Sequence, residues 1–245
     1  MAAATYAARR WGAAVGGWIV GLPLTSGPIS LFLAIERGTV FAAEAAVATI
    51  LGINGVTTTV VTYALLARRW HWQATTAASV VAFLVVAASL RDVQVSAPVA
   101  FAATVLMLLA ALALLPRAEA TDRVTKPARW DLPLRIAVAL TMVLAVTGVA
   151  ERLGPQLSGL ISPFPVFTIV MAVFSHRESG GGVAVPYSRG LLSSLVGFAM
   201  FFVVVALLLA NRGIAVTFVS ATVASLVASA LFGSLVQRIR LPRLS

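Results

Sequence analysis

The chain contains no cysteine, which excludes disulfide bridges, thiolate metal sites and cysteine nucleophiles. It is also poor in acidic residues, with 8 Asp and Glu against 18 Lys and Arg. No glycine-rich phosphate loop, HExxH zinc motif, GxSxG serine motif or pair of carboxylates at helical spacing occurs in it. We therefore expect no enzymatic activity, no cofactor and no metal site.

Charged residues make up 11% of the chain, whereas soluble domains carry about 25%. Hydrophobic stretches of about 20 residues recur along most of the length, which is typical of polytopic helical membrane proteins. We predict an all-α membrane protein with about eight transmembrane helices. The predicted crossings lie near residues 13–35, 40–67, 72–90, 95–116, 132–150, 157–175, 186–210 and 213–236.

The basic residues are distributed unevenly over the loops of this topology. With the N-terminus inside, 14 of the 18 Lys and Arg residues fall in inside loops and ends, among them Arg68, Arg69 and Arg135. This bias predicts cytoplasmic N- and C-termini, and we expect a bacterial inner membrane. The net charge of +10 is thus interpreted as a topology signal, with membrane lipids as partners and no nucleic acid.

The chain repeats itself at a fixed offset of 142 residues, because residues 8–90 match residues 150–232 without a gap. Matching glycines, prolines and charges carry the similarity, as where Pro23 matches Pro165. An odd number of crossings separates corresponding helices, so the two copies are predicted to be inverted-topology repeats. The predicted units are residues 1–116 as the first repeat plus one extra crossing, 117–131 as a cytoplasmic linker, and 132–245 as the second, inverted repeat.

Proline and glycine interrupt one predicted helix at matching positions in the two halves. Such interruptions free backbone groups that cannot face lipid, and paired interruptions indicate the binding site of a transporter. The candidate substrate-binding residues are Pro23, Thr25, Ser26, Pro28, Ser30, Asn54, Ser162, Pro163, Pro165 and Thr168. The structural alternatives are proline kinks satisfied by neighbouring helices and, for Asn54, a hydrogen bond that joins two helices.

Ionisable residues near membrane depth are few, and each is costly unless it is paired or hydrated. The candidate coupling or gating residues are Glu36, Glu44, His176, Glu178 and Arg189. Each has a structural alternative. The three glutamates are then solvated or interfacial charges, His176 is a polar cap, and Arg189 extends to the lipid headgroups.

The segment Leu157–His176 reads LSGLISPFPVFTIVMAVFSH. It resembles the small GlpM-type bacterial membrane proteins, in which a Gly-Leu-x-Pro-x-Phe-Pro-like segment opens a hydrophobic helix that ends near a histidine. The resemblance covers mainly residues 132–236 and implies a fused, duplicated form of a four-helix unit. It implies no substrate and no functional residues.

Together these features predict a membrane transporter or exporter that moves a small solute by alternating access between the two repeats. A lipid flippase and a non-transporting accessory subunit of a larger assembly are the alternatives, and a homodimer is left open. A water-accessible polar cavity at the broken segments would favour transport. Dry packing of those segments would favour the accessory role.

Overall fold

A computed structural model describes residues 2–24, 26–116, 131–150 and 164–239. All regular structure in these ranges is helical, and no strand occurs in them. The helices are α1 (Ala2–Trp11), α2 (Ala13–Val20), α3 (Ser26–Glu36), α4 (Thr39–Leu66), α5 (Trp72–Leu90), α6 (Ala97–Leu114), α7 (Asp131–Ala150), α8 (Val166–Ser179), a short 3-10 helix (Gly181–Val183), α9 (Ala184–Arg212) and α10 (Ile214–Ile239).

Five helical segments in the described ranges are long and apolar enough to cross a membrane. They are Thr39–Leu66, Trp72–Leu90, Ala97–Leu114, Gly181–Arg212 and Ile214–Leu235. An apolar helix needs about 20 residues to cross the hydrocarbon core. The all-helical part of the sequence prediction is confirmed, and the five segments are compatible with an integral membrane protein. The count of eight crossings stays a prediction.

Helix α9 is the centre of the bundle. Its apolar stretch is 72% buried, against 22% for α5 and for α10. It packs against α2, α4, α6 and α10, and Leu191, Leu192 and Val205 are among its fully enclosed side chains. The outward faces of α5 and α10 carry exposed apolar side chains such as Val81 and Val223, which suits contact with lipid.

The predicted helix 13–35 is interrupted in the structure. Helix α2 ends at Val20 and α3 begins at Ser26. Pro23 lies in the interruption, and Pro28 lies in the first turn of α3, where a missing amide donor costs little.

The chain follows α9 in the same direction before and after this interruption. Gly21, just after α2, contacts Ser194 of α9. Gly27, in the first turn of α3, contacts Phe201, which is about two turns farther along α9. The interrupted segment is therefore a single passage along α9 and does not turn back on itself.

Helices α4 and α9 pack against each other in opposite directions. Gly181, just before α9, contacts Ala67, just after α4. Farther into the pair, Tyr63 of α4 and Tyr187 of α9 line the same cavity. The C-terminal end of α4 thus lies beside the N-terminal end of α9.

Several arginines meet at this end of the bundle, which we call the basic end. Arg68 and Arg69 lie in the turn that follows α4. Arg177 lies near the end of α8, where Arg135 of α7 also contacts Glu178. Arg189, in the second turn of α9, donates to backbone carbonyls at the C-terminal end of α6.

Candidate functional site

The predicted site residues in the first broken segment, between α2 and the start of α3, differ in how far they are buried. Pro23 and Ser26 are half-buried, Ser30 is buried, and Pro28 is exposed. Thr25 lies outside the described residues. Gly21 and Gly27, on either side of the interruption, allow this segment to lie close to α9. A side chain at either position would collide with that helix or press on it.

The second broken segment is described only from Phe164 onward, so Ser162 and Pro163 lie outside the described residues. Pro165 is buried and immediately precedes α8. Thr168, in the first turn of α8, is buried and faces α4 and α9. Of the predicted substrate-binding residues in the described ranges, Thr168 is the one that lines a cavity between these helices.

Asn54 joins α4 to α6. Its side-chain amide donates to the Leu51 carbonyl at 3.0 Å and to the Thr104 hydroxyl at 3.2 Å. The Thr104 hydroxyl in turn donates to the Ile50 carbonyl at 3.2 Å. This arrangement matches the interhelical alternative considered for Asn54.

Replacing Asn54 tests whether it binds solute or joins helices. We expect Asn54→Leu to lower the free energy of unfolding by about 1 kcal/mol, because one interhelical hydrogen bond is lost. Thermal denaturation in detergent micelles measures the change, and Thr58→Val serves as the control because the Thr58 hydroxyl bonds within α4. A variant of unchanged stability that has lost function would instead identify Asn54 as a solute ligand.

The predicted glutamates separate into two groups. Glu36 and Glu44 are exposed. Glu178 accepts a bifurcated hydrogen bond from Arg135, whose Nη2 lies 2.9 Å from both carboxylate oxygens. The Arg135 side chain is only 3% exposed, and its Cζ lies 4.9 Å from the centroid of the Phe174 ring. The guanidinium is therefore buried and paired, while the carboxylate is 30% exposed.

Arg189 caps helix α6. Its Nη1 donates to the carbonyls of Leu112, Leu115 and Pro116 at 3.0 to 3.3 Å. The last carbonyls of a helix lack partners within that helix. A cation at this end also interacts favourably with the negative end of the helix dipole. Arg189 therefore ties the end of α6 to the start of α9.

Polar and apolar side chains together line a small space between α4, α8 and α9, and the apolar ones are Val60, Ile169 and Ala172. We call its polar part the polar seam, which consists of Thr59, Tyr63, Thr168, Tyr187 and Ser188. Its cavity measures about 10 Å³, roughly the space of one water molecule. The Tyr187 hydroxyl is buried without a hydrogen-bond partner of good geometry in the described part of the chain, although Thr168 is near it. A buried hydroxyl in this state is available to a water or a ligand.

His176 lies between the polar seam and a second, more open cavity. Its Nδ1 is 3.2 Å from the Tyr63 hydroxyl, which is hydrogen-bond distance. Burial, and to a smaller extent the nearby charge of His71, lowers the pKa of His176 below its ordinary value of 6.5. His176 is therefore neutral at neutral pH.

The second cavity opens at the basic end and measures about 340 Å³. We call it the basic mouth, and its lining residues are His71, Trp72, His176, Arg177 and Gly180. The Arg177 guanidinium stacks over the indole of Trp72, with Cζ 5.3 Å from the ring centroid. The basic mouth and the polar seam meet where His176 contacts Tyr63.

The sequence pointed to Thr168 and His176 but missed Tyr187, Ser188 and the burial of Arg135. Tyr187 and Ser188 form, with Arg189, a short polar run that precedes a long apolar stretch. This polar run at the start of a hydrophobic helix was the sequence feature that could have identified Tyr187 and Ser188. Arg135 carried no such signal, because its partner is 43 residues away.

Comparison with known proteins gave no match to a family model, to a curated protein or to a solved structure.

Proposed function

We propose that this protein is a membrane transporter that moves a small solute through the polar seam by rocking two inverted repeats against each other. The observation that carries the proposal is the seam itself, which lies between α4 and α9. These helices correspond to each other at the offset of 142 residues and pack in opposite directions. Transporters built from inverted repeats place their site at such an interface.

Helix boundaries support the two repeats. Helix α4 begins at Thr39 and the 3-10 helix before α9 begins at Gly181, and these starts differ by 142 residues. The starts of α5 and α10 differ by the same number. Gly38 and Gly180 precede corresponding helices with φ of 91° and 78°, a backbone conformation that favours glycine.

The pattern of buried residues on the outer helices α5 and α10 also supports the two repeats. The residues of α5 that face the core recur on α10 at the same offset, as buried positions in both helices. They are Thr75, Ser79, Phe83 and Ala87 on α5, and Thr217, Ala221, Ser225 and Ser229 on α10. Gly55 of α4 lies against the Phe83 ring of α5, and Gly197 of α9 lies against Ser229 and the Ser225 carbonyl of α10. Because a shared ancestral packing would give this pattern, it favours duplication.

The two cavities suggest one state of an alternating-access cycle. The polar seam is nearly closed, and the basic mouth is open next to it. We assign Tyr63 and His176 as the gate between them, since their side chains stand at the junction. The basic end is the cytoplasmic side in this proposal, because positively charged loops stay inside. Both termini are then cytoplasmic, and the bacterial inner membrane is the proposed location.

An accessory subunit is the second candidate, because helices that pack tightly without water between them would also leave a cavity as small as the polar seam. A lipid flippase would use the same seam with a lateral opening. The duplicated GlpM-type unit proposed from the sequence is compatible with all three roles. The cysteine-labelling experiment described next separates transport from the accessory role.

The absence of cysteine makes single-cysteine labelling direct. We expect Thr168→Cys and Thr59→Cys to react with a membrane-impermeant thiol reagent from either side of the membrane, because rocking exposes the seam alternately. Right-side-out and inside-out vesicles give the two sides. Labelling is measured by a mass shift of the purified protein.

Matched variants calibrate this experiment. Arg69→Cys at the basic end and Gln94→Cys between α5 and α6 are exposed and should each react from one side only. Ser225→Cys, enclosed on α10, should react from neither side. If both seam variants are labelled from one side only, or from neither, alternating access is wrong. Labelling from neither side would leave the accessory role as the better description.

A further inference from the structure

We propose that the basic mouth binds an oxyanion of the phosphate type. The site is built from Arg177, His176 and His71 around the open cavity of about 340 Å³. The assignment of this anion to the transported solute rests on the proposed function. Binding at equilibrium does not depend on it.

Arg177 supplies the fixed positive charge of the site. Its guanidinium is stacked over Trp72, which is half-buried at the first position of α5. Stacking restricts the guanidinium to one region, so less side-chain freedom is lost when its N–H groups bind an anion. A guanidinium presents a fork of donors that fits two oxygens of a phosphate or carboxylate.

His176 supplies a directed hydrogen-bond donor. A neutral imidazole that accepts a hydrogen bond at Nδ1 carries its proton on Nε2. The Tyr63 hydroxyl, at 3.2 Å, can donate to Nδ1 and so hold the ring in this form. Tyr63 is then a positioning residue, and His176 offers its N–H without a net charge.

The surrounding charge favours an anion and disfavours a cation. No Asp or Glu lines the cavity among the described residues. Glu178, the acidic residue that follows Arg177, has both carboxylate oxygens engaged by Arg135. The positive end of the α5 dipole lies at the same place, because His71 and Trp72 begin that helix.

The cavity is wide and open to solvent, so it has room for a group larger than an inorganic ion. Sites of about 300 Å³ and above hold small organic molecules. An oxyanion held by Arg177 would leave the rest of a small solute directed to Tyr63 and the polar seam. A phosphate carried by a membrane lipid has the same chemistry, and the source is decided by experiment.

Tryptophan fluorescence gives a readout within the site. Protein in a nonionic detergent is titrated with inorganic phosphate, and protein in phosphatidylcholine nanodiscs is compared with and without phosphatidic acid. We expect a saturable signal that Trp72→Phe removes. A signal with inorganic phosphate identifies a free phosphate, and a signal with phosphatidic acid alone identifies a lipid headgroup.

Charge variants test the assignment of residues. Arg177→Gln should weaken binding by about tenfold or more, since a charge-assisted hydrogen bond is lost. Arg177→Lys should retain part of the affinity. Arg69→Gln makes the same change of charge at an exposed position of the basic end and should leave the affinity unchanged.

The proposal is overturned if neither ligand source gives a saturable signal, or if Arg69→Gln weakens binding as much as Arg177→Gln does. The second result would mean that the ion responds only to the general positive charge of this end. Saturable binding together with failed cysteine labelling of the seam would keep the anion site and remove the transporter.

Discussion

Glu178→Gln is expected to lower the free energy of unfolding by about 1–3 kcal/mol, because Arg135 is buried and loses a charged acceptor, while Glu178 itself is 30% exposed. The variant leaves the Arg135 guanidinium charged in a site where its side chain is only 3% exposed. The ring of Phe174 and the sulfur of Met171 also contact this guanidinium. Chemical denaturation in mixed micelles, followed by circular dichroism, measures the change.

Two further variants give this experiment its controls. Glu36→Gln alters the residue that matches Glu178 in the repeat, and it should have almost no effect because Glu36 is exposed. Replacing both partners, with Arg135→Met and Glu178→Leu together, should restore most of the stability, since no charge is then left enclosed. Equal stability of Glu178→Gln and Glu36→Gln would contradict the buried pair.

Gly190→Ala is expected to destabilise the protein by about 1–3 kcal/mol, as overpacking does in well-packed interiors. The new methyl group would overlap the backbone of Ala14, so α2 would have to move away from α9. Gly17→Ala should act in the same way, because its methyl group would overlap the backbone of Tyr187. Thermal denaturation in one detergent, with all variants compared side by side, gives the measurement.

Gly233→Ala provides the matched control on α10. A methyl group there meets no heavy atom within 4 Å, so stability should stay the same or rise by about 0.5–1 kcal/mol from helix propensity. If Gly190→Ala proves as stable as this control, the close packing of α2 on α9 is wrong.

Hydropathy predicted the long helices well, because an apolar run of 18 or more residues leaves few alternatives to a spanning helix. The segments Thr39–Leu66 and Trp72–Leu90 lie close to the positions expected from the sequence. The interruption at Pro23 was also predictable, since proline and the adjacent glycines act locally. In each case the deciding information lies within a few residues of the element concerned.

The site was harder to predict, because its contacts join distant parts of the chain. The charge count placed Arg135 at the inside end of a predicted crossing, whereas the structure buries it against Glu178. Tyr187 joins the polar seam only because α9 runs opposite to α4, which depends on how the helices assemble. Thr168 was predicted from the proline interruption ahead of it. The pairing of Tyr63 with His176, 113 residues apart, had no local indicator.

Helix α6 lies outside the two repeats that we propose, yet it is held by hydrogen bonds at two places. Near its middle Thr104 is bonded to α4, and at its end the carbonyls are held by Arg189 of α9. If the two proposed repeats rock against each other, α6 is the helix about which they turn. One of its two sets of hydrogen bonds then has to break. Arg189 has three neighbouring acceptors, so it can slip from one carbonyl to the next while Thr104 holds. The unpaired helix would then set how far the swing goes.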